Sequence, residues 1–95
     1  MLVKLCEKII TIADTEDLTW EDKYSLIFRE KYTSVLYNAF SELNIKFEYD
    51  DPDTDYQEDV LAFSNALKEN LNRFTNIMNY VKLSTELETK IENIL

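Results

Sequence analysis

The chain reads as an all-α protein, a small bundle of four or five helices with one short extended segment before a proline turn. Three observations carry that expectation. Apolar residues recur at intervals of three and four along most of the chain, the spacing that lines one face of a helix. Glycine is absent from all 95 residues, whereas hairpins and many tight turns draw on glycine for a positive φ. Only one short stretch alternates apolar and polar side chains as a strand would.

Residues 2–13 place Leu2, Leu5, Cys6, Ile9, Ile10 and Ala13 on one face. The helix should fade at Asp14-Thr15-Glu16-Asp17, where short polar side chains compete for backbone hydrogen bonds. Thr19 has the chemistry of an N-cap, and Glu21 and Asp22 would then meet the positive end of the next helix dipole. The spacing predicts that second helix from 20 to about 43. Its broad apolar face holds Trp20, Tyr24, Ile27, Phe28, Val35, Leu36, Ala39, Phe40 and Leu43. Thr33-Ser34 is the place where it could divide, since both residues prefer caps to helix interiors.

Ile45, Phe47 and Tyr49 then alternate with Lys46, Glu48 and Asp50. With no second strand to pair with, the alternative is a loop that packs its apolar side on the helices. Pro52 pushes Asp51 toward an extended conformation. A capping box follows at Thr54-x-x-Gln57, or one residue later at Asp55-x-x-Glu58. The third helix starts there, its face built from Tyr56, Val60, Phe63, Ala66, Leu67, Leu71, Phe74, Ile77, Met78 and Val81, with residues 72–76 its weakest place. A last helix follows Thr85-x-x-Glu88 and carries Leu87, Ile91, Ile94 and Leu95. Neither repeats nor a low-complexity linker interrupt the chain. Residues 1–95 are expected to form a single helical domain burying roughly two-thirds of its unfolded surface.

Composition excludes several chemistries. Without glycine there is no P-loop, no G-x-G-x-x-G turn and no nucleophile elbow. Histidine is also absent, which removes His–Cys and His–Ser dyads and the usual nitrogen ligand of zinc. Paired carboxylates could serve glycoside hydrolysis only in a cleft that shields one acid from water, and a small bundle with solvated acids offers little of that. The expectation is a protein that is not an enzyme and needs no cofactor. Cys6 is the only cysteine, so it forms no internal disulfide, and a reducing cytoplasmic setting is expected. Its thiol reads as a small apolar group on a helix face. No apolar run approaches the ~20 residues of a membrane span, and the first residues carry charge too early for a secretory segment.

Charge is the most informative feature. Residues 48–59 hold seven acids (Glu48, Asp50, Asp51, Asp53, Asp55, Glu58 and Asp59), no base, and the tyrosines Tyr49 and Tyr56. A second run, residues 14–22, holds Asp14, Glu16, Asp17, Glu21 and Asp22. Together they contain 12 of the 19 acids, and the rest of the chain has 7 acids against 10 bases. Helix dipoles account for acids in first turns, Glu21, Asp22, Asp55 and Glu58 among them. They do not account for Asp50, Asp51 and Asp53, whose crowding at ~4 Å costs about 1 kcal/mol per pair even in water.

Calcium is one candidate explanation. Asp51-x-Asp53-x-Asp55 matches the first three ligand positions of an EF-hand loop, but Tyr56 stands where that loop needs glycine and Ala62 where it needs a bidentate Glu. No metal site is therefore expected. The other explanation is a binding face made of Glu48, Tyr49, Asp50, Asp51, Asp53, Asp55, Tyr56, Glu58 and Asp59, joined by Asp14, Glu16 and Asp17. Such a face repels nucleic acid and attracts basic surfaces of the kind found on proteins that grip DNA or RNA. The tyrosines would be its anchors. An ordinary solvated surface, with both tyrosines in the core, is the alternative.

Trp20-Glu21-Asp22-Lys23-Tyr24, Leu26-Ile27-Phe28, Asp51-Pro52-Asp53-Thr54, Tyr56, Glu58-Asp59-Val60 and Ala62-Phe63 resemble short uncharacterised acidic proteins of phages and prophages. The likeness covers about residues 19–67. In size and acidity the chain is also similar to phage anti-defence inhibitors, anti-CRISPR and anti-restriction proteins among them. The resemblance implies a cytoplasmic inhibitor or adaptor in an infected bacterium, acting on a protein partner such as a nuclease complex. It transfers no binding residue, because that group shares a strategy more than a sequence. The alternative is a structural or regulatory helical module that self-associates into a homo-oligomer through apolar surface on the third helix or the C-terminus.

Overall fold

A computed structural model of the chain describes residues 2–47 and 55–95. It is all-α: 77% of these residues are helical, and no strand occurs among them. The helices are α1 (Leu2–Asp14), α2 (Trp20–Ile27), α3 (Glu30–Glu42), α4 (Tyr56–Met78) and α5 (Thr85–Ile94). α4 is the spine, with α1 and α2 packed along it, while α3 pairs with α5. No helix is long and apolar enough to cross a membrane.

α1 buries Leu2, Leu5, Cys6, Ile9 and Ala13, the face its spacing marks. Burial, with a smaller push from the charge of Glu7, raises the Cys6 thiol to about 12. The sulfur is therefore an uncharged apolar filler at neutral pH.

α2 begins where its cap chemistry places it, with the Thr19 hydroxyl accepting from the Asp22 amide at 3.1 Å. The long second helix expected over 20–43 is instead two helices. The break falls at Phe28 and Arg29, not at Thr33-Ser34. Arg29 is a single extended residue (φ −64, ψ 137) that opens α3 without a side-chain cap. Thr33 stays inside α3 because its hydroxyl donates back to the carbonyls of Arg29 and Glu30 at 3.3 and 3.4 Å. Packing sets the break, since one extended residue turns the chain from its seat on α4 to its seat on α5.

α3 ends in a Schellman turn. The Ile45 amide donates to the Phe40 carbonyl at 2.9 Å and the Asn44 amide to the Ser41 carbonyl at 3.1 Å. Asn44 sits at φ 60, the left-handed position that glycine usually fills and asparagine tolerates. Urea denaturation should place Asn44→Gly level with or above the natural chain, and Asn44→Ala about 1 kcal/mol below it. An alanine variant as stable as the natural chain would show that this turn is not held left-handed. Beyond the turn, Ile45 is buried and Phe47 packs on the core, so residues 45–47 take the loop form, and the rest of the alternating segment lies outside the described residues.

α4 starts at the later of the two possible caps. Asp55 Oδ1 accepts from the amides of Gln57 and Glu58 at 3.0 and 3.3 Å. The helix runs unbroken through residues 72–76, where the Thr75 hydroxyl donates to the Leu71 carbonyl. It stops at Met78, three residues early, when the Tyr80 and Val81 amides both turn back to the Ile77 carbonyl. Val81 consequently leaves the apolar face and is exposed.

α5 is capped by Ser84, one residue before the expected Thr85, with the Ser84 hydroxyl accepting from the Leu87 amide. Glu42, the last residue of α3, accepts from the Ser84 amide at 2.9 Å and from its hydroxyl at 2.8 Å. These two bonds hold the Glu42 carboxyl below its ordinary value of 4.5. A depressed folded value contributes stability above 4.5 and loses it as pH falls through the folded value. The natural chain should therefore exceed Glu42→Gln in stability at neutral pH, and that margin should close in acid. A margin independent of pH would show that Ser84 does not favour the ionised carboxylate.

Candidate protein-binding surface

The acidic run of residues 14–22 is followed directly by an inward-turned lysine. Asp14, Glu16, Asp17, Glu21 and Asp22 are all exposed, whereas Lys23 is 5% exposed. Lys23 Nζ donates to the Ala13 carbonyl at 2.9 Å and lies 4.0 Å from the centre of the Trp20 ring. It therefore neutralises the C-terminal end of α1, where carbonyl dipoles gather negative charge. The basic residue nearest this run in sequence does not offset the charge at its surface. Asp14 is paired with Lys68 of α4 at 3.3 Å, an exposed contact worth under about 1 kcal/mol. Among the described residues, Glu16, Asp17, Glu21 and Asp22 join no ion pair.

The other run is described from Asp55 onward. Asp55 and Glu58 are exposed in the first turn of α4, Asp55 as its cap. Tyr56 divides between the two roles weighed for it: it is 44% exposed, yet its ring centre lies 5.0 Å from that of Tyr24. Asp59 does not belong to the exposed face. It is 5% exposed, because the register of α4 places it on the side that buries Val60 and Phe63. Glu48, Tyr49, Asp50, Asp51 and Asp53, all assigned to the binding face, lie outside the described residues. So do Thr54 and the proline turn.

The EF-hand register is incompatible with this geometry. Tyr56 and Ala62, its sixth and twelfth positions, are both inside α4, and Asp55 is engaged in capping that helix. A ligand loop cannot wrap an ion along a continuous helix.

One feature is not read from the charges. A cleft opens between the α1–α2 connection and α4, lined by Asp14, Glu16, Leu18, Trp20, Lys23 and Leu61. Leu18, an apolar residue within an acidic run, is the one sequence signal pointing to it. Leu61 and Lys68 are seven residues apart on α4, about two turns along one side of the helix. The wall of this cleft and the partner of Asp14 therefore share a face. No family model, curated protein or solved structure matches the chain.

Proposed function

We propose that the chain is a non-enzymatic inhibitor or adaptor that presents an acidic face to the basic surface of a protein partner. The observation that supports this reading is the set of four exposed acids, Glu16, Asp17, Glu21 and Asp22, followed in sequence by a lysine whose charge is turned inward. Spaced carboxylates on a rigid helical frame attract a surface built to bind phosphates. In its sharper form the protein is a phage-type anti-defence inhibitor, of the anti-CRISPR kind, that occupies the channel of a nucleic-acid-binding nuclease in the host cytoplasm.

The test uses a basic nucleic-acid-binding protein captured from bacterial lysate at low salt and released at high salt. Two variants are compared with the natural chain, one with Glu16→Gln and Asp17→Asn, the other with Asp50→Asn, Asp51→Asn and Asp53→Asn. Both leave the caps of α2 and α4 intact. Association should slow several-fold and lose salt dependence in at least one variant, because steering acts on the on-rate. Unchanged association in both would overturn the reading.

A second reading is self-association. Tyr80, 90% exposed, stands with exposed Val81 just past the end of α4, and Leu95 is exposed at the last position. Sedimentation that rises with concentration in the natural chain and not in Tyr80→Ser would favour that reading.

A further inference from the structure

We propose that the face shared by α3 and α5 docks a second copy of this chain, laid antiparallel across a two-fold axis. The proposal rests on the self-association reading and names the surface and its partner; the acidic run of residues 14–22 takes no part in it. The two helices run in opposite directions. Glu42 at the end of α3 holds Ser84 at the start of α5, while Glu30 and Lys31 at the start of α3 share a groove with Asn93 and Ile94 at the end of α5. That groove, about 390 Å³, presents more apolar than polar surface. Tyr80 and Val81 stand exposed near the other end of α5.

This arrangement is self-complementary. Lys90 lines the groove, and Glu86 lies one turn before it on the same side of α5. The two are 3.4 Å apart, yet their side chains stay 81% (Glu86) and 54% (Lys90) exposed, so both can meet a further partner. A copy laid antiparallel over this side, with the axis between these residues, sets Glu86 of each chain opposite Lys90 of the other. Opposite charges then meet at two symmetric contacts, as an isologous interface requires. The same operation brings Val81 level with Leu95 of the copy, and Tyr80 to the groove beside Ile94. The apolar side chains exposed at the two ends of α5 thus cover one another. Thr89, close to the axis, donates its hydroxyl to the Thr85 carbonyl at 2.9 Å and brings no unpaired donor to the contact. α5 has ten residues and is about 15 Å long, a short line of contact that suits a reversible dimer rather than an obligate one.

Sedimentation equilibrium of the natural chain should show a monomer–dimer equilibrium that weakens as salt rises. Lys90→Glu and Glu86→Lys each set like charges opposite one another at both contacts, and each should weaken the dimer about tenfold. An equimolar mixture of the two variants should recover it to within about threefold of the natural chain, because opposite charges meet again. Mixing cannot restore the Glu86–Lys90 contact within a chain, so recovery reports the contact between chains. Tyr80→Ser should weaken the dimer as well.

Absence of recovery in the mixture, or charge variants that dimerise like the natural chain, would overturn the antiparallel face. If Tyr80→Ser still reduces association in that case, the self-association reading survives and only this face is lost. Mass growing beyond a dimer would mean that Tyr80 of one copy fills the groove of the next in an open array, and the two-fold arrangement would be overturned. A natural chain that stays monomeric up to millimolar concentration would overturn both.

Discussion

Phe40→Ala is expected to lower the stability of the fold by about 3–5 kcal/mol, seen as a fall in the urea midpoint at unchanged slope. Phe40 is fully enclosed, and its ring stacks on that of Phe74 with centres 4.4 Å apart and planes at 17°. Phe40 also meets Phe47 at 4.7 Å. Phe47 in turn meets Phe63, Phe63 meets Phe28, and Phe28 meets Tyr24. One chain of rings thus joins α3, the loop after it, α4 and α2. Truncating Phe40 removes a ring touched on two sides by rigid neighbours, so little collapse can refill the space. A domain of this size has about 5–15 kcal/mol in total, so the variant should be substantially less resistant to heat. Phe74→Ala should cost as much. The double variant should fall short of the sum, because the two residues share a contact worth ~0.5–1.5 kcal/mol beyond burial. A loss below about 1 kcal/mol for Phe40→Ala would mean that this stack does not organise the core.

Most of the helical frame is legible in the sequence because its signals are local. The three-and-four spacing in α1 and α4 is a property of each segment, as is the Thr19 cap, formed with an amide three residues away. What escapes is decided at a distance. Ser84, not Thr85, caps α5, and Ser84 is held by Glu42, which lies 42 positions earlier. Nothing in the stretch Leu83-Ser84-Thr85-Glu86 announces that bond. The break at Arg29 likewise has no cap chemistry; it exists because α2 and α3 have different neighbours. Thr33-Ser34 has the chemistry of a break but lies inside α3, where the Thr33 hydroxyl bonds back to the preceding turn.

The candidate surface divides in the same way. Charge is visible in the sequence, and the exposed acids of residues 14–22 are where a run without a base predicts them. Direction is not visible until helical register is imposed. Asp59 reads as the end of an acidic run, yet it stands one residue before Val60 and four before Phe63 on the inward side of α4, so it is buried. The cleft requires still more, since Leu61 is brought to Leu18 and Trp20 only by the packing of α4 against the first two helices.

Lys23→Ala is expected to cost about 2–3 kcal/mol, and Lys23→Met about 1–2 kcal/mol. The magnitudes follow from separating the stem from the charge. The buried stem packs as an apolar chain, and methionine restores most of that volume, so the two variants differ by the packing term. What methionine cannot restore is the donor to the Ala13 carbonyl at 2.9 Å and the contact with Trp20 at 4.0 Å. A hydrogen bond from a charged group contributes about 1.5–3 kcal/mol, and desolvating the ammonium offsets part of it. Chemical denaturation of the two variants measures both terms. Lys23→Met as stable as the natural chain would mean that desolvation cancels the bond and that only the stem contributes. The same variant also probes the proposed function. Because the charge of Lys23 is compensated at the end of α1, its removal should leave association with a basic partner unchanged or slightly faster. Slower association would place the ammonium at the partner interface, and the acidic-face reading would fail.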